Sequence, residues 1–258
     1  MTLSRQPFDP PAAAPAGAPA AALRLDRVSK TYGRHRALID VSLAFAPARV
    51  AAVLGPNGAG KTTMLGILST LVPPSSGQVT WGDAVLSAPH LRGAGLRGRI
   101  GYVGHEPGLY GDLTASENLT LFCSLYGVPD PLGRTRALLD RVGLGDVRAG
   151  AVVRTFSRGM QQRLSLARAL LAEPDLLLFD EPSSALDPAG AAWLTSEIER
   201  ERAAGRIVVL VTHDLDAAAA VAHQIVVLRR GRVACDQLYP EGLGAPALRA
   251  LYEETTRA

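Results

Sequence analysis

The stretch Gly55-Pro56-Asn57-Gly58-Ala59-Gly60-Lys61-Thr62-Thr63 constrains this chain more than any other. It follows an apolar run, Arg49-Val50-Ala51-Ala52-Val53-Leu54, that reads as a buried strand, and it opens a helical stretch from Thr62 to Leu71. A strand, a turn with the spacing G-x-x-x-x-G-K-[ST] and a helix make a phosphate-binding loop. The glycines admit a tight turn whose N–H groups face inward on a polyphosphate, and the helix adds the positive end of its dipole. Lys61 reaches the β- and γ-phosphates as a point charge, and the Thr62 hydroxyl is placed to ligate Mg²⁺. All nine residues are read as nucleotide contacts. Among 27 Lys and Arg, only Lys30 and Lys61 are lysines. A lysine here, in a chain that otherwise uses arginine, marks a place for a slender ammonium rather than a planar fork.

Length and composition narrow the setting. The 258 residues suit one large α/β domain or two smaller lobes. The net charge of +3 is carried by scattered arginines. Arg92, Arg97 and Arg99 come nearest to a basic patch, but they lack interleaved aromatics and a solvated loop accounts for them, so no nucleic-acid partner is expected. Cys123 and Cys235 have no metal-binding spacing and read as free thiols of a reducing cytoplasm. The longest apolar stretches, Ile207 to Val211 and Leu176 to Phe179, are strand-sized. A soluble protein is therefore expected, and work at a membrane would need a second, spanning chain. Residues 1–22 are Ala/Pro-rich and broken by Pro10, Pro11, Pro15 and Pro19, which reads as a disordered tail rather than a signal peptide.

The pattern along the chain predicts alternating units. Leu23 to Ser29 and Val41 to Phe45 alternate as antiparallel strands do, Gln78 to Trp81 is a short strand, and residues 87–98 form a loop before a strand at Arg99 to Val103. From Ala115 to about Gly143 the period is helical, with Leu119, Phe122, Leu125 and Tyr126 on one face and Ala137, Leu138 and Val142 on another. A further helix is expected over Arg158 to Ala172. Strands at Leu176 to Phe179, Ile207 to Val211 and Ile225 to Leu228 alternate with helices at Ala189 to Ala203 and Leu215 to Val221. Such alternation predicts a mostly parallel sheet with ligand at the strands' C-terminal ends. The helical block, about 104–172, interrupts it and is expected to form an inserted lobe. The nucleotide domain is bounded at 23–235, leaving 236–258 as a short C-terminal extension.

Three residues at strand ends carry the chemistry. Leu176 to Phe179 ends in Asp180-Glu181, which puts two carboxylates at a strand tip beside the phosphate loop. Asp180 is placed to hold Mg²⁺ and Glu181 to orient and deprotonate the water that attacks the γ-phosphate; the plainer alternative is two solvated acids at a turn. His213 follows the Ile207 to Val211 strand, where such sheets present ligands, and is read as a γ-phosphate contact.

Taken in order, the loop at 55–63, Phe156-Ser157-Arg158-Gly159-Met160-Gln161-Gln162-Arg163, Leu176 to Glu181, Ser184-Ala185-Leu186-Asp187 and His213 resemble the nucleotide-binding domain of ATP-binding cassette (ABC) transporters. That resemblance implies a P-loop NTPase core with an N-terminal antiparallel β subdomain and a helical subdomain. It also implies ATP and Mg²⁺ as cofactors, ATP hydrolysis, and a peripheral place at the cytoplasmic face of the membrane beside an integral permease. It further implies a pair of cassettes, identical or not, in which Ser157 and Gly159 contact the ATP of the opposite copy and Asp187 links the two sites. Tyr32 resembles the aromatic that stacks on adenine, and otherwise reads as an ordinary turn tyrosine. Two departures stand out. Arg158 and Met160 replace the second and fourth residues of the usual Ser-Gly-Gly-Gln. His105 stands where a metal-sensing Gln is usual, with Glu106 beside it as the other candidate. The stretch Gly104-His105-Glu106-Pro107-Gly108, followed by Leu113 to Leu119, is similar to the ATPase of haem exporters in cytochrome c maturation. General drug or lipid exporters of the ABC-2 type share its second half, and a soluble ABC ATPase acting on ribosomes or DNA is a third reading. Read by itself, 113–119 is a helix start with Thr114 as N-cap and Glu117 three residues on.

Overall fold

Apolar strands with no polar face sort their side chains by a period of two, and that sorting builds this fold. The computed structural model describes residues 22–86, 94–145, 148–184, 186–240 and 244–257. Of the expected tail at residues 1–22, residues 1–21 lie outside them, as do residues 87–93 of the expected loop, Arg92 included, and Ala185. Strands β1 (Leu23–Tyr32), β2 (His35–Phe45), β3 (Arg49–Leu54), β4 (Ser76–Trp81), β5 (Ala84–Val85), β6 (Ile100–Val103), β7 (Leu176–Asp180), β8 (Ile207–Val211), β9 (Gln224–Arg229) and β10 (Arg232–Leu238) form two sheets. One is four-stranded in the order β2-β1-β4-β5, and its pairs are antiparallel. The other is six-stranded in the order β10-β9-β3-β8-β7-β6, parallel except for β10.

In the parallel sheet, Ala51, Val53, Leu176, Leu178, Ile207, Val209, Val226 and Leu228 point to one core, shared with the antiparallel sheet and with α1 (Lys61–Leu68). Their neighbours Val50, Leu177, Phe179, Val208 and Leu210 point the other way, to a second core. That core includes α3 (Ala115–Tyr126), α4 (Pro131–Arg141), α5 (Arg158–Ala169) and α6 (Pro188–Ala203). Ala52, Leu54, Ile225 and Val227 meet α7 (Leu215–Val221) and α8 (Gly244–Arg257) in a third. A one-residue slip of register in any of these strands would exchange its two faces.

The helical lobe is cut where local chemistry dictates. The single helical stretch expected from 115 to 143 is two helices: α3 ends at Gly127 in the left-handed region, and α4 starts with Asp130 as cap and Pro131 behind it. Thr114 and Glu117 form the expected capping box at the start of α3, each side chain accepting the other's backbone N–H. The expected apolar face of α3 needs correction. Its buried side is Ala115, Asn118, Leu119 and Cys123, whereas Leu125 and Tyr126 are exposed. Ala137 is exposed as well, and Thr135, Leu138 and Leu139 take the buried side of α4. The shift follows from packing: α3 meets α4 and α5 one position round from the face with the most carbon. The helix expected to reach Ala172 stops at Ala169, and Glu173 adopts a positive φ of 50°. A four-residue helix, α2 (Ala94–Arg97), stands inside the expected loop. The 236–258 extension contains the end of β10 and the whole of α8, whose Leu248 is fully buried. Both cysteines are free.

Charge ties the lobe to the sheet. Arg141 on α4 donates to Glu197 through Nε (2.8 Å) and also bonds Glu201 on α6, while Arg206 at the mouth of β8 takes the other oxygen of Glu201. Both carboxylates are under a tenth exposed. The Arg154–Asp112 pair, by contrast, is open to solvent on both sides. Removing one member of a buried network strands the charges left behind, at about 3–5 kcal/mol, whereas exposed pairs contribute about 0–1 kcal/mol. Arg141→Ala is therefore expected to lower the unfolding free energy by about 3–5 kcal/mol in urea denaturation, and Arg154→Ala by less than about 1 kcal/mol. Equal effects would show that the α4–α6 charges are not the tie.

Candidate active site

The loop after β3 turns through positive φ at Gly55 (148°), Gly58 (77°) and Gly60 (106°), conformations that a side chain resists. Two of them also lack room. A Cβ on Gly55 would sit 2.2 Å from the Leu228 carbonyl oxygen, and one on Gly60 would sit 2.5 Å from that of Ala37. The backbone is thus pressed between β9 and β2, and Gly231 N donates to the Ala59 carbonyl from the β9–β10 turn (3.1 Å). Lys61 is buried, and its Nζ donates to the carbonyls of Gly55 (2.7 Å) and Pro56 (3.2 Å) across the loop mouth. The ammonium is held where anionic oxygens can replace those carbonyls.

An open cleft of about 270 Å³ lies over this loop, lined by Asn57 to Thr63, by Asp180 and Glu181, and by His35 and Ala37 from β2. Asp180 ends β7 and is buried. Its carboxyl is held above the usual carboxylate range by burial, then by the charge of Glu181; hydrogen bonds from Tyr102 and Thr62 and the proximity of His105 work against that rise. Tyr102 lies on β6 with its hydroxyl 3.5 Å from the Asp180 carboxylate, and burial together with that carboxylate pushes its phenol up to about 12. Sequence reasoning missed Tyr102, whose role depends on the pairing of β6 with β7.

Glu181 adopts φ 52°, a left-handed conformation that costs a non-glycine residue about 1–3 kcal/mol. Neighbours hold it there: its N–H donates to the Val211 carbonyl (2.9 Å), and its own carbonyl accepts from Ser184 Oγ (3.0 Å). The strained turn aims its carboxylate at His213. One oxygen accepts from the His213 backbone N–H (3.2 Å) and meets Nδ1 at 2.8 Å. The structure therefore unites Glu181 and His213, which the sequence placed on separate strands.

The remaining expected residues fall elsewhere. Ser157 caps α5, accepting from Met160 N, and Asp187 caps α6, accepting from Gly190 N (2.7 Å). Neither these two nor Gly159 lines the cleft of the same chain. Tyr32 ends β1, half exposed, with the Lys30 ammonium 5.0 Å from its ring centre, and is not among the lining residues. His105 and Glu106 are exposed just past β6. Arg168 on α5 fixes their loop: its guanidinium donates to the carbonyls of Gly108 (2.6 Å) and Tyr102 (3.0 Å) and lies over the Phe122 ring of α3.

Among the described residues no cluster of three or more His, Cys, Asp or Glu could hold a metal alone. That suits Mg²⁺, which takes one or two protein oxygens and completes its shell with water and phosphate. Thr62 and Asp180, hydrogen-bonded to each other, are such a pair of hard donors.

Because the folded-state pKa of Asp180 is raised, its protonated form favours the fold; that contribution is present in acid and is lost as pH rises through the raised value. At neutral pH the charged Asp180 therefore burdens the fold. Asp180→Asn is expected to raise the melting temperature of the nucleotide-free protein at pH 7, with the gain shrinking towards pH 4. A lower melting temperature at pH 7 would show that the carboxylate is stabilising after all.

The profile of the family described as "ABC transporter" matches residues 38–184. The daunorubicin resistance ATP-binding protein DrrA3 of Streptomyces coeruleorubidus is 39% identical over 216 residues, covering 82% of this chain and 66% of that protein. The lantibiotic transport ATP-binding protein SrtF of Streptococcus pyogenes is 33% identical over 217 residues, covering 84% of this chain and 91% of that protein. The chain spans between 56% and 66% of the length of the first curated relatives it matches. Among solved structures, the dimeric ATP-binding cassette MJ0796 in a post-hydrolysis state with ADP and Pi superimposes with a TM-score of 0.76 at 29% identity, over 84% of this chain and 98% of that one.

Proposed function

We propose that this chain, which belongs to the ABC transporter family, is the ATP-hydrolysing subunit of an exporter whose membrane path is a separate permease. The observation that carries the reading is the Glu181–His213 contact at the acid end of a cleft floored by the phosphate loop. The chain has the cassette fold of its structural neighbours, and ATP hydrolysis is supported by the post-hydrolysis state with ADP and Pi in which one of them, MJ0796, was solved.

In this reading the loop amides and Lys61 bind the phosphates, Lys61 exchanging its two loop carbonyls for phosphate oxygens. Thr62 and Asp180 hold Mg²⁺, which supplies charge neutralisation between the β- and γ-phosphates. Glu181 orients the attacking water and takes its proton, and His213 fixes the carboxylate and faces the γ-phosphate. Ser157, Gly159 and Asp187 act on the ATP of a second copy. Their absence from the cleft of their own chain supports a two-fold arrangement in which each copy completes the other's site, as does the dimeric state of MJ0796.

A membrane partner is supported by the names of the relatives and by two exposed tyrosines on the lobe, Tyr110 and Tyr126, each about 6 Å from the part-buried Phe122 ring between them. No described helix is long and apolar enough to cross a membrane. In this reading the chain works peripherally, on the cytoplasmic face where ATP is available, which the transport and resistance ATP-binding names of its relatives support. A lobe at about 104–172 fits this division of labour, whereas a domain limit at 235 would cut β10 and exclude α8, which packs on the core through Leu248. For cargo, the drug-resistance and lantibiotic relatives favour a general drug or lipid exporter. Haem export for cytochrome c assembly is the second reading, favoured by His105 in Gly104 to Gly108 and by the Arg158 and Met160 departures.

Glu181→Gln is expected to bind ATP, to turn over about 10²–10⁴-fold more slowly, and to accumulate as a dimer in light scattering with Mg-ATP. Lys61→Ala is expected to lose both binding and turnover. Unchanged phosphate release in Glu181→Gln would remove Glu181 as the base, and unchanged binding in Lys61→Ala would remove the site.

A further inference from the structure

Strand register brings a second strand to bear on Asp180. Tyr102 on β6 lies opposite Leu178 of β7, and Val103 opposite Phe179. Partners across a ladder share a face and side chains alternate along a strand, so Tyr102 stands on the face of Leu178 and Asp180. Gly104 follows Val103 just as Asp180 follows Phe179, and it has no side chain to meet the phenol. It is not among the glycines with positive φ, so its backbone does not demand glycine. The demand is for room: a Cβ there would sit 2.7 Å from Tyr102 Cε1 and 3.3 Å from the Tyr102 hydroxyl oxygen. The ring therefore lies across Gly104, with its hydroxyl 3.5 Å from Asp180 Oδ2. Arg168 fixes the backbone of the same residue, donating to the Tyr102 carbonyl (3.0 Å).

We propose that Tyr102 is a positioning residue for the divalent cation, its hydroxyl orienting Asp180 through the space that Gly104 leaves open. The inference rests on the reading of the cleft as an ATP site with Mg²⁺ at Thr62 and Asp180. A phenol with an ordinary pKa of about 10 keeps its proton at neutral pH, so Tyr102 donates and Asp180 accepts. A hydrogen bond from behind fixes which way a ligating carboxylate points, and such partners are worth about 10- to 100-fold in metal affinity. Thr62 reaches the same carboxylate from the phosphate loop. Tyr102 reaches it from the sheet, so Asp180 is oriented by a strand that touches no nucleotide. If the ring merely filled the core, its hydroxyl could be removed with no consequence for the cation.

The test is calorimetric titration of the full chain and of Tyr102→Phe with an ATP analogue whose β,γ-bridge is an imido group, once with Mg²⁺ and once with EDTA. The quotient of the two affinities reports how firmly the complex holds Mg²⁺, because Mg²⁺ binding by the free nucleotide is common to parent and variant. The expected result is unchanged affinity in EDTA and affinity about tenfold weaker with Mg²⁺. That is the low end of the range for such partners, because 3.5 Å is long for a hydrogen bond. The Mg²⁺ concentration that half-saturates turnover rises by a similar factor. Gly104→Ala, which pushes the ring aside, is expected to give the same loss, and the double variant no more than either alone. An unchanged quotient in Tyr102→Phe, or equal weakening with and without Mg²⁺, overturns the proposal. Additive losses in the double variant would show that Gly104 does not act through the phenol. The phenylalanine keeps the ring, so Tyr102→Phe is expected to melt with the parent. A parent that binds the analogue under neither condition would remove the ATP-site reading itself, whereas a parent and variant with equal quotients would remove only the role of Tyr102.

Discussion

The close approach of backbone to backbone around the phosphate loop is the constraint on which the rest of the structure depends. Gly55 is pressed against the Leu228 carbonyl and Gly60 against that of Ala37, so the loop is gripped between β9 and β2, strands of different sheets. No side chain can enter either contact. The loop is consequently shaped before any ligand arrives, and its donors need little reorganisation to meet an anion. The same grip brings the antiparallel sheet over the parallel one, which is why a residue of β2 helps to line the cleft.

Around that rigid loop the polar groups are held at some expense to the fold. Lys61 is buried against carbonyls rather than a carboxylate, Asp180 is buried beside a second acid, and Glu181 occupies a left-handed conformation. The Asp180 and Glu181 arrangements cost the fold free energy, and under the proposed function a polyphosphate and a cation in the cleft would offset that cost. Local rules broken together in one place are what a working site looks like in a chain that otherwise obeys them. Elsewhere the rules hold: α3 has its capping box, α6 its Asp187–Pro188 start, and the buried carboxylates of α6 have the Arg141 guanidinium.

Much of this was legible in the sequence because it rests on local signals. The phosphate loop has a fixed spacing, the parallel strands are uninterrupted apolar runs, and Asp180, Glu181 and His213 follow those runs directly. What escaped depends on partners distant along the chain. Tyr102 matters because β6 pairs with β7, and His35 because β2 crosses to the loop. The burial of α3 misled the periodicity reading because Leu125 and Tyr126 have the composition of a core face but stand in solvent. Strand β10 alternates only weakly, so neither it nor helix α8 behind it stood out beside the stronger patterns. Ser157 and Asp187 look the same under either reading, since both are ordinary helix caps in the isolated chain.

The fork of Arg168 carries a mechanical consequence. One planar group on the helix that Ser157 begins bonds both ends of the segment 102–108 and rests on an aromatic ring of α3. Charge-assisted bonds of this kind contribute about 1.5–3 kcal/mol each, so small displacements carry the neighbours along before the joint breaks. α5, the His105 segment and Phe122 are therefore joined through one side chain, so a displacement of any one of them would strain its bonds to the other two.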